Sequence, residues 1–91
     1  MANITQVLGA EAALPTSTGT ASSITNAPIV RLYNSHASND YLVSVVASQG
    51  GAAIGSFTMP AQSVEYLQKE YTQCIFAEHA SVLCAKVGFT N

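Results

Sequence analysis

Tyr41-Leu42-Val43-Ser44-Val45-Val46-Ala47 decides the class of this fold. The run is β-branched and aromatic, a composition that fits a pleated, half-buried surface. Side chains alternate across a strand, so Ser44 places Leu42 and Val46 on its own face. Tyr41, Val43 and Val45 are then left for a core. Ser48-Gln49-Gly50-Gly51 follows as a turn, with two glycines suited to positive φ.

The same pattern recurs on both sides. Upstream, Pro28 opens the strand Ile29-Val30-Arg31-Leu32-Tyr33, and Asn34 to Asp40 is a polar loop. Downstream come Ile54 to Met59, Ser63 to Lys69, Cys74 to Ala77 and Val82 to Thr90. The last two read as a closing hairpin around Glu78-His79-Ala80-Ser81. Turn signals separate the strands, and no segment repeats apolar residues at helical period for three turns. The reading is all-β: a compact antiparallel β-sandwich or small barrel of about six to seven strands. Charged residues mark outer faces. Arg31 outside puts Val30 and Leu32 inside. Glu65 and Lys69 outside put Val64 and Tyr66 inside. Lys86 outside puts Leu83, Ala85, Val87 and Phe89 inside.

Residues 1–27 differ. Gly9 to Ala27 is rich in Ser and Thr and holds Pro15 and Gly19. That density reads as an extended N-terminal arm, with a short strand near 3–8. Glu11 to Leu14 also fits one helical turn, ended by Pro15. Residues 28–91 form the body, and deleting the arm is expected to leave that body folded.

Composition sets the function classes. Only 9% of the 91 residues are charged, against about 25% in ordinary domains. Three basic side chains cannot build a strong phosphate-binding surface, so nucleic acid is not an expected partner. A mean hydropathy of +0.26 argues against charge-driven disorder. No basic start with an apolar run suggests a secretory signal, and no stretch suits a membrane helix, so synthesis in a cytoplasm and no membrane partner are expected. A small domain with so little charge is expected to be covered by other chains. The outer faces carry Ile29, Tyr33, Leu42, Val46, Ile54, Leu67 and Val82. Ile4, Val7, Leu8, Leu14, Ile29, Tyr33, Leu42, Leu67 and Tyr71 are the candidate interface residues.

Candidate chemistry is sparse. His36 with Asp40, and Glu78 with His79, lack the third ligand that zinc requires, so no metal is expected. Cys74 and Cys84 face each other if the hairpin loop is Glu78-His79-Ala80, and a loop one residue longer separates them. Two packed thiols suit a reducing compartment better than a disulfide. Gly50, Gly51 and Gly55 lack the Lys-Ser or Lys-Thr of a phosphate loop. Tyr33, Tyr41, Tyr66 and Tyr71 suit protein interfaces or a sugar platform. No catalytic set converges, and neither an enzyme nor a cofactor is expected.

Four segments carry a resemblance: Val30-Arg31-Leu32-Tyr33-Asn34, Ile54 to Pro60, Ser63 to Glu70 and Lys86 to Asn91. Over roughly Pro28 to Asn91 the chain resembles small β-rich virion proteins of tailed bacteriophages, marine and cyanobacterial ones in particular. Capsid decoration (cement) proteins are the nearest class. The resemblance implies a non-enzymatic protein on the capsid surface, bound to the major capsid protein, often as a trimer, with an arm that ties capsomers together. It brings no site residues. A tail, neck or fibre component, or a small carbohydrate-binding module using Tyr33 and Tyr71, are the alternatives.

Overall fold

Tyr41–Val46 is the middle strand of a three-stranded sheet, as its composition dictates. The structure is a computed structural model that describes residues 4–90, with the side chains of Ile4, Phe89 and Thr90 outside that description. The interface expected at the Ile4 side chain, and the inward placement of Phe89, therefore fall outside the described residues.

Eight strands run in chain order: β1 Ile4–Val7, β2 Ala12–Ala13, β3 Ile29–Asn34, β4 Tyr41–Val46, β5 Ala53–Met59, β6 Val64–Gln68, β7 Cys74–Ala77 and β8 Val82–Thr90. A single 3-10 turn covers Thr18–Thr20. The domain is all-β, in two antiparallel sheets. One has the order β1-β8-β3-β6, with β2 also paired to β8; the other is β5-β4-β7. The Glu11–Leu14 helical turn is overturned, because Ala12 and Ala13 pair with Cys84 and Leu83.

β4 and β5 form a hairpin. Gly50 supplies a φ of 72° in its turn. Gly51 has no room for a Cβ, which would stand 2.6 Å from Ser48 Oγ. The later connections cross between sheets, and this corrects the expected closing hairpin. β7 pairs with β4, whereas β8 pairs with β3. Residues 78–81 are therefore a corner, not a hairpin loop.

The core fills the space between the sheets. Val30, Leu32, Val82 and Cys84 come from the larger sheet. Val43, Met59, Ile75 and Ala77 come from the smaller one. Each fully buried aliphatic side chain of this kind contributes about 1.5–3 kcal/mol. Asn34 is also fully buried. Its Nδ2 donates to the carbonyls of Asn39 and Met59, both at 3.0 Å, and its Oδ1 accepts from the His36 N–H at 3.1 Å. Its backbone bonds to Gln62 and Ser63. One satisfied amide thus pins three chain segments at a corner.

Residues 8–27 are built into this body, against the expectation of an arm. Leu8 N–H donates to Lys86 O and Leu14 N–H to Val82 O, both at 2.9 Å. Ala77 N–H donates to Pro15 O at 2.9 Å, which carries the segment across to the other sheet. Ser22 and Ile75 then exchange both backbone bonds. Leu14, expected at an interface, is 2% exposed and lies in the core. Ala21 covers Val46 and Cys74 in a second small cluster, against which Phe76 packs. Val46 faces outward as expected and is buried there by the chain's own N-terminal segment.

Two faces are reversed relative to expectation. Leu67 packs on the core, whereas Val64 is 40% and Tyr66 48% exposed. Val82 and Cys84 point inward, and Leu83, Ala85 and Val87 lie on the opposite side of β8, where Ala85 and Val87 are buried as expected. The cause is Lys69 and Lys86. Both share the core-facing side, and their stems run over apolar surface to a polar goal. That goal is the turn at Ile24, Thr25 and Asn26, which have φ near 55°, 56° and 55°. Three consecutive left-handed residues cost about 1–2 kcal/mol each. Lys69 Nζ donates to Ser23 O at 2.9 Å, and Lys86 Nζ to Thr25 O at 3.1 Å. Ser22 Oγ and Ser23 Oγ accept the N–H groups of Ile24 and Asn26. Ala27 N–H closes the turn on Ser23 O.

Candidate functional site

The two flanks of the domain differ in what covers their strand edges. On one flank, β8 is paired by β1 and β2, and β7 is bridged by Ser22. On the other, β6 and β5 end their sheets. β5 is interrupted: its register with β4 shifts between Val45 and Val46, and Ile54 is the extra residue. A bulge of this kind discourages further pairing. β6 carries neither Pro nor Lys across Val64–Gln68. The nearest lysine, Lys69, is turned inward and is 6% exposed.

Three large exposed apolar side chains lie on these edges. Ile54 is 55% exposed on β5, and Val64 and Tyr66 stand on β6. The strand register places Arg31 beside Tyr66 and Tyr33 beside Val64 on one outward face, with Leu83 opposite Tyr33 from β8. Arg31 is neutralised there by Glu11, with Nη1 3.0 Å from Oε2. The face is therefore apolar and aromatic, and its charges cancel.

The expected interface residues divide into groups. Val7 (70%), Leu8 (50%) and Tyr71 (60%) are well exposed. Ile29, Tyr33 and Leu42 are half-buried on outward faces. Leu67 and Leu14 serve the core. Val64, Tyr66 and Ile54 belong to the exposed set and were not among the expected interface residues. The reversed face of β6 hid the first two. The β5 bulge hid the role of the third.

His36 and His79 do come together, from the loop after β3 and the corner before β8. Tyr41 stacks on His79 at 4.7 Å between ring centroids, and His36 meets both rings edge-on. The neighbouring carboxylates are engaged elsewhere: Asp40 Oδ1 accepts from the Ala61 N–H, and Glu78 accepts from the Leu42 N–H. Nδ1 of His36 accepts from the N–H groups of Ser38 and Asn39, and Nδ1 of His79 from that of Ser81. A neutral ring so bonded carries its proton on Nε2 and offers a metal no lone pair. Among the described residues, no three His, Cys, Asp or Glu gather to hold an ion.

Cys74 and Cys84 are both free thiols and buried. They lie in different sheets, so the corner at 78–81 removes the facing geometry considered above. Burial, helped by the Glu11 charge, pushes the Cys84 thiol up to about 11. A thiol held protonated is a poor nucleophile.

Compared with protein-family models, with curated proteins and with solved structures, the chain shows no match in any of the three.

Proposed function

We propose that this chain is a structural subunit, a capsid decoration protein of β-sandwich form that reinforces a phage head and performs no reaction. The open β6 flank carries this reading. An edge with neither lysine nor proline, beside Tyr66, Val64 and Tyr33, is suited to lie against another chain. Covering one such apolar side chain contributes about 1.5–3 kcal/mol before association costs. Many copies on one shell sum these contributions.

β6 is also self-complementary. If two copies pair antiparallel about Tyr66, Val64 meets Gln68 and Glu65 meets Leu67, so no like charges oppose each other. A homo-oligomer on the major capsid protein is the arrangement we propose, with the virion surface as its location; the two-fold β6 contact makes its unit a dimer in place of the trimer that the resemblance implies.

The test adds purified protein to shells that lack it and measures bound copies and the temperature of shell disruption. Many bound copies per shell and a raised disruption temperature are expected, and both should fall with Tyr66→Lys. Absence of binding with an unchanged disruption temperature would sink the proposal.

A further inference from the structure

A cavity of about 410 Å³ opens at the far end of β6. Pro28, Gln68, Lys69, Glu70, Tyr71 and Gln73 line it. The size falls at the small end of the ~300–1,000 Å³ common for ligand sites. It adjoins the outward face of Tyr33 and Tyr66 through Gln68, which shares that side of β6.

The frame of this cavity is tied at several points. Lys69 N–H donates to Pro28 O at 2.9 Å. Glu70 and Gln73 close a turn: Gln73 N–H donates to Glu70 O, and Gln73 Oε1 accepts the Glu70 N–H, both at 3.0 Å. The Lys69 ammonium is held by Ser23 O at 2.9 Å and Glu70 O at 3.4 Å. That arrangement fixes the floor while leaving the polar heads at the rim unspent. Gln73 uses only its Oε1, so its amide N–H groups remain. Among the described residues, no protein group engages the Gln68 amide, the Glu70 carboxylate or the Tyr71 hydroxyl. Tyr71 itself is 60% exposed.

The inventory is an aromatic ring, two amides and a carboxylate around a shallow, partly enclosed space. An aromatic face packs against the C–H side of a sugar ring, and amides with a carboxylate match its hydroxyls. An anion fits less well. The one cation is drawn away into backbone carbonyls, burial holds Lys69 below the ordinary lysine range, and Glu70 opposes negative charge.

We infer that the Tyr71 cavity is a binding site for a neutral saccharide of one or two rings. This inference does not depend on the capsid proposal, although Gln68 is common to the cavity and to the β6 edge. Copies arrayed on a particle would turn a weak contact into a firm one through multivalency.

The test is an NMR titration of the full ¹⁵N-labelled chain with methyl glycosides of glucose, galactose, mannose and N-acetylglucosamine. Inorganic phosphate provides a separate arm. Saturable shifts centred on residues 68–73 with at least one glycoside are expected. Tyr71→Ala, at an exposed position, should keep the spectrum of a folded protein and weaken binding at least ten-fold. Gln73→Glu should weaken it too, by removing the amide donors. The inference is overturned if no glycoside shifts these amides, if phosphate alone does, or if Tyr71→Ala leaves the affinity unchanged.

Discussion

The two flanks solve the edge problem of a β domain in opposite ways. The β7/β8 flank is closed by the chain itself: residues 8–22 pair with β8, cross over at Leu14 and Pro15, and bridge β7. The β5/β6 flank has no such cover. It holds a bulge on one strand and exposed apolar side chains on both. The first flank therefore holds more of the chain's own pairing, although β1 ends its sheet with Val7 and Leu8 exposed, and the second is the more open. Mutations on the two should separate folding from assembly.

The largest effect is expected on the closed flank. Deleting residues 1–26 removes β1, β2, Leu14 and Ala21 together, and the remainder should lose its cooperative thermal transition by circular dichroism. This reverses the expectation of a dispensable arm. Leu14→Ala is the milder form, with an expected loss of about 2–5 kcal/mol in urea unfolding. A folded, fully stable truncation would break the comparison.

The next effect is pH-dependent and lies beside β2. The Cys84 thiol ionises near 9.0 when unperturbed and near 11 in the fold. Between those values the unfolded chain binds fewer protons, so stability present below 9.0 is lost as pH rises toward 11. The loss from this group is roughly 2–3 kcal/mol. Unfolding free energies measured across that range should fall more steeply for the native chain than for Cys84→Ala.

A smaller gain tests the left-handed turn that the lysines clamp. Thr25 is exposed, with φ near 56°. Thr25→Gly relieves the steric cost and adds backbone entropy, for a net stabilisation of about 0.5–1 kcal/mol. A lowered urea midpoint would contradict the assigned geometry.

The smallest effect on stability, with the clearest effect on assembly, belongs to the open flank. Tyr66→Lys should change unfolding free energy by no more than about 0.5 kcal/mol. Sedimentation velocity should nonetheless show weaker concentration-dependent association. A large destabilisation without that change would put Tyr66 in the folding machinery rather than at an interface.

Much of the architecture was legible in the residues. From Ile29 onward, β-branched runs separated by Gly, Pro and Asn turns located all six strands. Two kinds of information were missing. Lys69 and Lys86 read as solvent markers in the sequence, but a long amphipathic side chain can follow the core surface to a buried carbonyl. That fact inverted β8, and it inverted β6 together with Glu65, which shares the core-facing side but stays exposed at the sheet edge. The N-terminal segment pairs through two-residue contacts and isolated bridges, too short to leave an alternating pattern. Its Ser and Thr residues instead hold local turns, such as Ser17 with Thr20. Asn34 read as the first residue of a loop, because its carbonyl partners become neighbours only when two sheets meet. For the candidate surface, the low charge was legible from composition, while the particular side chains on β6 were not.

The position of β8 has a consequence for how the molecule is made. β8 is the last of the described strands, yet it lies between β3 on one side and β1 with β2 on the other. Strands synthesised early must wait for one synthesised later. Until residues 82–90 have emerged, residues 4–14 have no strand to pair with and β3 lacks one neighbour. A nascent chain is thus expected to remain exposed on both flanks, and to close one of them in a late step.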